Sequence, residues 1–193
     1  QIIKDKILID VKKNLLKLYS ETKIKIDIKN YVKSLYETCD NLITKLPEIY
    51  TKLDKKEIRD VFILLNETVK GFPDPTIDLV QSHGDLQLGN ILVGNSDNEL
   101  YLIDWEYTEK RSIFYDSLVL VANCRQPKGL AKRIKTILDG ADLSWSWCIK
   151  TDGFRLSKCE LAIFLIEDLI VRLSELNIPN LINKGNGLDL WLK

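Results

Sequence analysis

Two short stretches constrain this chain more than anything else in it: Ser82-His83-Gly84-Asp85-Leu86-Gln87-Leu88-Gly89-Asn90-Ile91-Leu92-Val93 and, just downstream, Leu102-Ile103-Asp104-Trp105-Glu106-Tyr107. Between the apolar runs 90–93 and 100–104 lies Gly94-Asn95-Ser96-Asp97-Asn98-Glu99, a polar turn-forming segment, so the runs read as a β-hairpin. A hairpin returns its ends to one place. Asn90, entering the first strand, and Asp104, leaving the second, are expected side by side, with Asp85 on the loop just before them.

Those residue types suit one kind of chemistry. Moving a γ-phosphoryl group asks little covalent work of a protein, but it needs an acceptor hydroxyl held in line and divalent metal to offset charge on the phosphate oxygens. An aspartate that takes the hydroxyl proton, with an asparagine and a second aspartate as hard oxygen ligands for Mg²⁺, is a minimal set for that task. Asp and Asn beside Gly are also the ordinary material of surface turns. The joint pattern is harder to reach that way: His two before Asp, Asn five after it, a strand at once, and then a strand ending in Asp.

Residues 83–104 resemble the catalytic core of the aminoglycoside phosphotransferase and choline kinase superfamily, the small-molecule branch of the protein-kinase-like fold. His83-Gly84-Asp85-Leu86-Gln87-Leu88-Gly89-Asn90-Ile91-Leu92 and Leu102-Ile103-Asp104-Trp105-Glu106-Tyr107 sit close to the choline, ethanolamine and thiamine kinase versions of the motif. The resemblance implies that Asp85 is the catalytic base and that Asn90 and Asp104 hold Mg²⁺, with ATP as co-substrate. It matches Gln87 to a family residue two after the base and Asp116 to an aspartate that bonds the loop backbone. A simple helix N-cap is the competing reading of Asp116. On the same family pattern His83 is a brace for the loop rather than a proton carrier. Glycine rather than arginine precedes Asp85, and no Ala-Pro-Glu sequence follows Asp104, both of which favour a small-molecule acceptor over a protein.

The rest of the chain is read from pattern. Ile3, Ile7, Val11, Leu15 and Leu18 mark an amphipathic helix over 2–19, and Val32, Leu35, Cys39, Leu42 and Leu46 a second, from Ile28 to the stop at Pro47. Asp54 and Glu57 read as a capping box opening a third, which ends at Gly71-Phe72-Pro73. A strand is expected over 77–81, helices over 116–123 and 130–138 with a break at Gly140, and a broad-faced core helix over 155–176, ended by Pro179. Everything before His83, apart from that strand, is thus assigned to helices, and no glycine-rich hairpin or following lysine strand is found.

The expected fold is mainly α with a small β-hairpin, an α+β class. By resemblance it is the helical C-terminal lobe of a protein-kinase-like fold, with the N-terminal nucleotide-binding lobe absent. One domain, 1–193, divides into a helical segment 1–73, a catalytic loop and metal-binding hairpin 77–104, and a second helical segment 113–193. A hydrophobic fraction of 45% fits a globular core, and 28 basic against 28 acidic residues give no net field to attract nucleic acid or an anionic membrane. No run reaches the ~20 apolar residues of a membrane span, and the start is not a signal peptide, which makes cytoplasm the default. Cys39, Cys124, Cys148 and Cys159 have no metal-site spacing and read as free thiols. The chain has no methionine, and reads either as an excised fragment or as a sequence with residues missing.

Trp105, Tyr107, Trp145 and Trp147 are candidates for the walls of a pocket that takes a cationic acceptor, with ordinary core packing as the alternative. Trp105 and Glu106 are the two placed beside Asp104 by sequence. The leading expectation is ATP-dependent phosphotransfer to a hydroxyl of a small molecule (choline, ethanolamine, thiamine, an aminoglycoside or a sugar). A catalytically silent kinase-like binding module is the alternative. Without the glycine-rich loop and lysine, the isolated chain is expected to be inactive.

Overall fold

The computed structural model describes residues 2–46, 50, 52–71, 75–94, 99–126, 128–139 and 157–176. In chain order the elements are α1 (Ile2–Thr22), β1 (Ile24–Asp27), α2 (Ile28–Thr44), α3 (Lys52–Val69), β2 (Thr76–Ser82), a 3-10 turn (Leu88–Asn90), β3 (Ile91–Val93), β4 (Leu100–Leu102), β5 (Glu109–Ser112), α4 (Tyr115–Ala122), α5 (Leu130–Leu138) and α6 (Lys158–Leu176). The expected mainly α, α+β architecture is what the chain forms. Trp145, Trp147, Cys148, Pro47, Pro179, Gly140 and Arg155 lie outside the described residues.

α6 is the axis of the molecule. Leu161, Ala162, Ile163, Phe164, Ile166, Leu169, Val171 and Leu173 are buried all around it, as the broad apolar face predicts, and α2 and α3 pack against it. Its start differs from the expected 155. Ser157 Oγ accepts from Glu160 N at 3.1 Å while Glu160 Oε2 accepts from Ser157 N at 2.9 Å, a reciprocal capping box that fixes the first turn at Lys158. The box expected at Asp54 does not form, because α3 begins at Lys52 and Asp54 already lies in its first turn. There its charge favours the positive end of the helix dipole.

The sheet corrects the reading of the first eighty residues as helix. β2 is the centre of a three-stranded antiparallel sheet in the order β1-β2-β5, with Ile24 opposite Leu79 and Leu79 opposite Ser112. β1 holds only Ile24-Lys25-Ile26-Asp27, too short for alternation to stand out, and Asp27 at once caps α2 by accepting from Asn30 N at 2.9 Å. β5, Glu109-Lys110-Arg111-Ser112, has no strand propensity of its own and is a strand through its pairing with β2. β3 and β4 form the expected hairpin as a separate two-stranded sheet.

β2 divides two cores. Ile77 and Leu79 join the large helical core, whereas Val80 joins a smaller one built from Val11, Leu15, Tyr19 and Leu86 and packed by Ile91, Leu100, Leu102 and Trp105. The second core seats α1 and the hairpin against the loop that leaves β2. Among the described residues no helix is long and apolar enough to cross a membrane, and Cys39, Cys124 and Cys159 are free thiols.

Candidate active site

The loop leaving β2 is held from below by one buried carboxylate. Asp116, in the first turn of α4, accepts from His83 N at 2.7 Å and Gly84 N at 2.9 Å on its two oxygens, and from the Tyr19 hydroxyl at 2.7 Å. The N-cap of α4 is Phe114, so Asp116 does not cap that helix. Gly84 has φ 86°, and a Cβ there would lie 2.2 Å from the Tyr107 carbonyl oxygen. The loop therefore requires glycine at this point on both counts.

His83 is fully buried and acts as a strut. Its Nδ1 accepts from Asp85 N at 3.3 Å, which makes the opposite nitrogen, Nε2, the protonated one, and Nε2 donates to the Ile103 carbonyl at 2.8 Å. Its ring packs at 4.5 Å against Trp105. Trp105 is half-buried, with Nε1 donating to the Leu102 carbonyl at 2.7 Å, while Glu106 beside it is exposed.

Asp85 and Asn90 form one hydrogen-bonded unit. Asn90 Nδ2 donates to the Asp85 carbonyl at 2.9 Å and to Asp85 Oδ2 at 3.2 Å, and Gln87 Nε2 donates to the same Oδ2 at 3.1 Å. Asn90 is fixed by the 3-10 turn, through its N–H to the Gln87 carbonyl at 3.0 Å, and by its own carbonyl, which accepts from Ile103 N at 3.0 Å. That last bond extends the hairpin register of Ile91 with Leu102 by one pair, so Asp104 comes one residue beyond the partner of Asn90. Asp104 is exposed and has φ 67°, a left-handed conformation that turns the chain out of β4.

Asp85 has a further partner that the sequence did not disclose. Arg125 Nε donates to Asp85 Oδ1 at 2.5 Å, Nη2 to the Gly84 carbonyl at 3.2 Å, and Nη1 to Glu175 Oε1 at 3.1 Å, with the guanidinium 5.3 Å from the centre of the Tyr107 ring. Burial opposes the charge of Arg125, but the carboxylates around it, Asp85 foremost, outweigh that and push its pKa above the usual guanidinium value. Burial raises Glu175 above the ordinary glutamate value against the pull of Arg125. Tyr107 is pushed up to about 12, first by burial and then by the charges of Glu175 and Glu106.

A second network lies behind the loop. Arg111, buried over the Tyr115 ring, donates from Nη1 to Ser82 Oγ and to the Tyr107 carbonyl, both at 2.8 Å. Glu167 of α6 accepts from the Tyr31 hydroxyl, from Ser112 N at 2.7 Å and from Ser112 Oγ at 2.5 Å, tying α2 and β5 to the core helix. Burial raises the Glu167 pKa, and its bonds to Ser112 and Tyr31 oppose the rise.

Among the described residues no three His, Cys, Asp or Glu side chains converge as a metal cluster. Mg²⁺ is ordinarily held by one or two side chains together with substrate phosphates and water, rather than by a protein cage. Asn90 and Asp104 are a hard-oxygen pair of that size, and with the Asn90 nitrogen committed to Asp85 its Oδ1 is the atom left for a ligand.

Residues 1–117 match the choline/ethanolamine kinase family. The chain belongs to that family. Asp85, Asn90, Asp104 and Asp116 fall inside the matched stretch, while Arg125 and Glu175 lie beyond it. No curated protein sequence matches the chain. Two solved structures resemble it at 10% identity and a TM-score of 0.36: a glucosamine kinase in complex with glucosamine, ADP and inorganic phosphate, and a glucosamine kinase in crystal form B. Each alignment covers 91% of this chain, which spans 43% and 41% of the respective partner's length.

Proposed function

We propose that this chain is the catalytic lobe of an ATP-dependent phosphotransferase acting on a hydroxyl of a small molecule, and that a nucleotide-binding lobe completes the enzyme. The observation that carries the reading is the unit of Asp85, Gln87 and Asn90 at the mouth of the hairpin, with Asp104 at the same mouth, one residue past the partner of Asn90, in a stretch that belongs to the choline/ethanolamine kinase family.

In this reading Asp85 orients the acceptor hydroxyl and receives its proton as the oxygen attacks the γ-phosphorus. A carboxylate offers about four lone-pair positions. Gln87 and Asn90 occupy two on Oδ2 and Arg125 one on Oδ1, which leaves one for the hydroxyl. Asn90 Oδ1 and the Asp104 carboxylate would hold Mg²⁺, which when bound offsets charge on the phosphate oxygens. His83 keeps the Asp85 backbone and the end of the hairpin at a fixed separation. Glu106, exposed next to Trp105 and two residues after Asp104, favours a cationic acceptor of the choline or ethanolamine kind over a neutral sugar.

The test is transfer of label from [γ-³²P]ATP to choline, ethanolamine, thiamine, an aminoglycoside or glucosamine by the full-length protein with Mg²⁺. Labelled product from at least one acceptor, lost on chelation with EDTA and in Asp104→Asn, is expected. ATP binding without transfer to any of them would leave the silent binding module in its place.

A further inference from the structure

Three features around Arg125 go beyond what a surface ion pair needs. First, the turn that carries it is gripped from two helices. α4 ends with Asn123 in the left-handed conformation at φ 48°, and Arg133 of α5 donates to the carbonyls of Ala122 at 2.6 Å, Asn123 at 3.2 Å and Gln126. Arg172 of α6 donates to the Cys124 carbonyl at 2.6 Å. Second, the guanidinium itself is anchored by Glu175, one turn further along α6, so main chain and side chain are fixed by the same helix. Third, all of this is spent to put Nε on Asp85 Oδ1 and Nη2 on the carbonyl of Gly84, the residue just before it.

Without Arg125 the two loop donors both sit on Oδ2. Bonds to a single oxygen restrain a carboxylate from one side only. The Nε bond to Oδ1 holds it from the other side, so that turning its plane must break bonds on both oxygens, and the positive charge offsets that of a carboxylate only 7% exposed. We propose that Arg125, held in place by Glu175, is a positioning residue that sets the carboxylate plane of Asp85 for the acceptor hydroxyl. This rests on Asp85 being the base. A purely structural pin between α4 and α6 would also use these contacts, but its loss would appear as lost stability, whereas loss of alignment at the base appears in kcat.

The experiment compares Asp85→Asn, Arg125→Gln, Arg125→Lys, Glu175→Gln and the double variant Asp85→Asn with Arg125→Gln in the full-length protein. Each is assayed with Mg²⁺-ATP and whichever of the five acceptors is phosphorylated, with thermal unfolding measured alongside. Arg125→Gln should lower kcat by about 10–100-fold with the KM for ATP within about twofold, and Arg125→Lys should recover part of the loss. Glu175→Gln, which leaves the Nε bond in place, should cost less than Arg125→Gln. The double variant should be no slower than Asp85→Asn alone, because a residue acting through Asp85 has nothing left to position. Unchanged or increased kcat in Arg125→Gln, or a full multiplicative loss in the double variant, would overturn the inference while leaving Asp85 as the base. Unchanged turnover in Asp85→Asn would instead remove the reading on which it rests.

Discussion

The site has two halves built in different ways. Its near half, 82–107, is assembled by local bonds: Asn90 and Gln87 onto Asp85, His83 onto Asp85 and Ile103, and the hairpin register. Its far half, Asp116, Glu175 and Tyr19 from helices and Arg125 from the turn after α4, is distant in sequence and reaches the loop through buried carboxylates and a guanidinium group. The near half can be read as a string. The far half exists only after α1, α4 and α6 have packed, and it decides whether the string holds its shape.

If the two halves are coupled in this way, damage at their contact points should cost more than damage inside either core network. Gly84→Ala is expected to be the most disruptive stability variant, at about 3–5 kcal/mol by urea denaturation, since it combines a left-handed φ with a clash against backbone rather than a movable side chain. Asp116→Ala leaves two backbone N–H groups of the loop unpaired in a buried site, for about 2–4 kcal/mol. A loss below about 1 kcal/mol there would mean that the loop stands without the far half.

How much of this the sequence disclosed follows the same division. Asp85, Asn90, Asp104 and the hairpin share one short stretch in which spacing and turn residues are informative, and the apolar breadth of 161–173 marked α6 as central. β1 was missed because four residues carry too little alternation, and β5 because Glu-Lys-Arg-Ser has no strand signal without β2 beside it. The reciprocal capping box forms at Ser157 and Glu160, a Ser-x-x-Glu pattern legible in the sequence, whereas Asp54 lies inside the first turn of α3. Arg125 gave no signal: it stands beyond a helix C-cap, like many surface arginines, and its partner Asp85 is forty residues away.

Smaller effects sharpen the contrast from the core side. Tyr31→Phe removes one bond that draws the Glu167 pKa down, for about 1–2 kcal/mol near neutral pH. Because the folded-state pKa of Glu167 is raised, its contribution to stability is present below the unfolded value, about 4.3, and is lost as pH rises through the folded one. The variant raises that pKa further, so its destabilisation should be greater at about pH 8 than at about pH 4, and equal values would show that Glu167 does not sense Tyr31. At the lower end, Lys33→Ala breaks only an exposed 3.9 Å pair with Glu37 and should stay within about 0.5 kcal/mol.

The most direct measurement is turnover and nucleotide binding of Asp85→Asn side by side in the full-length protein. Asparagine keeps the size of the side chain, and its one carbonyl oxygen can accept from the donors on one side only, but it cannot take the hydroxyl proton. A fall in kcat of roughly 10²–10⁴-fold with the affinity for Mg²⁺-ATP nearly unchanged is the expected result. Turnover equal to that of the unaltered protein would contradict the assignment of Asp85 as the base.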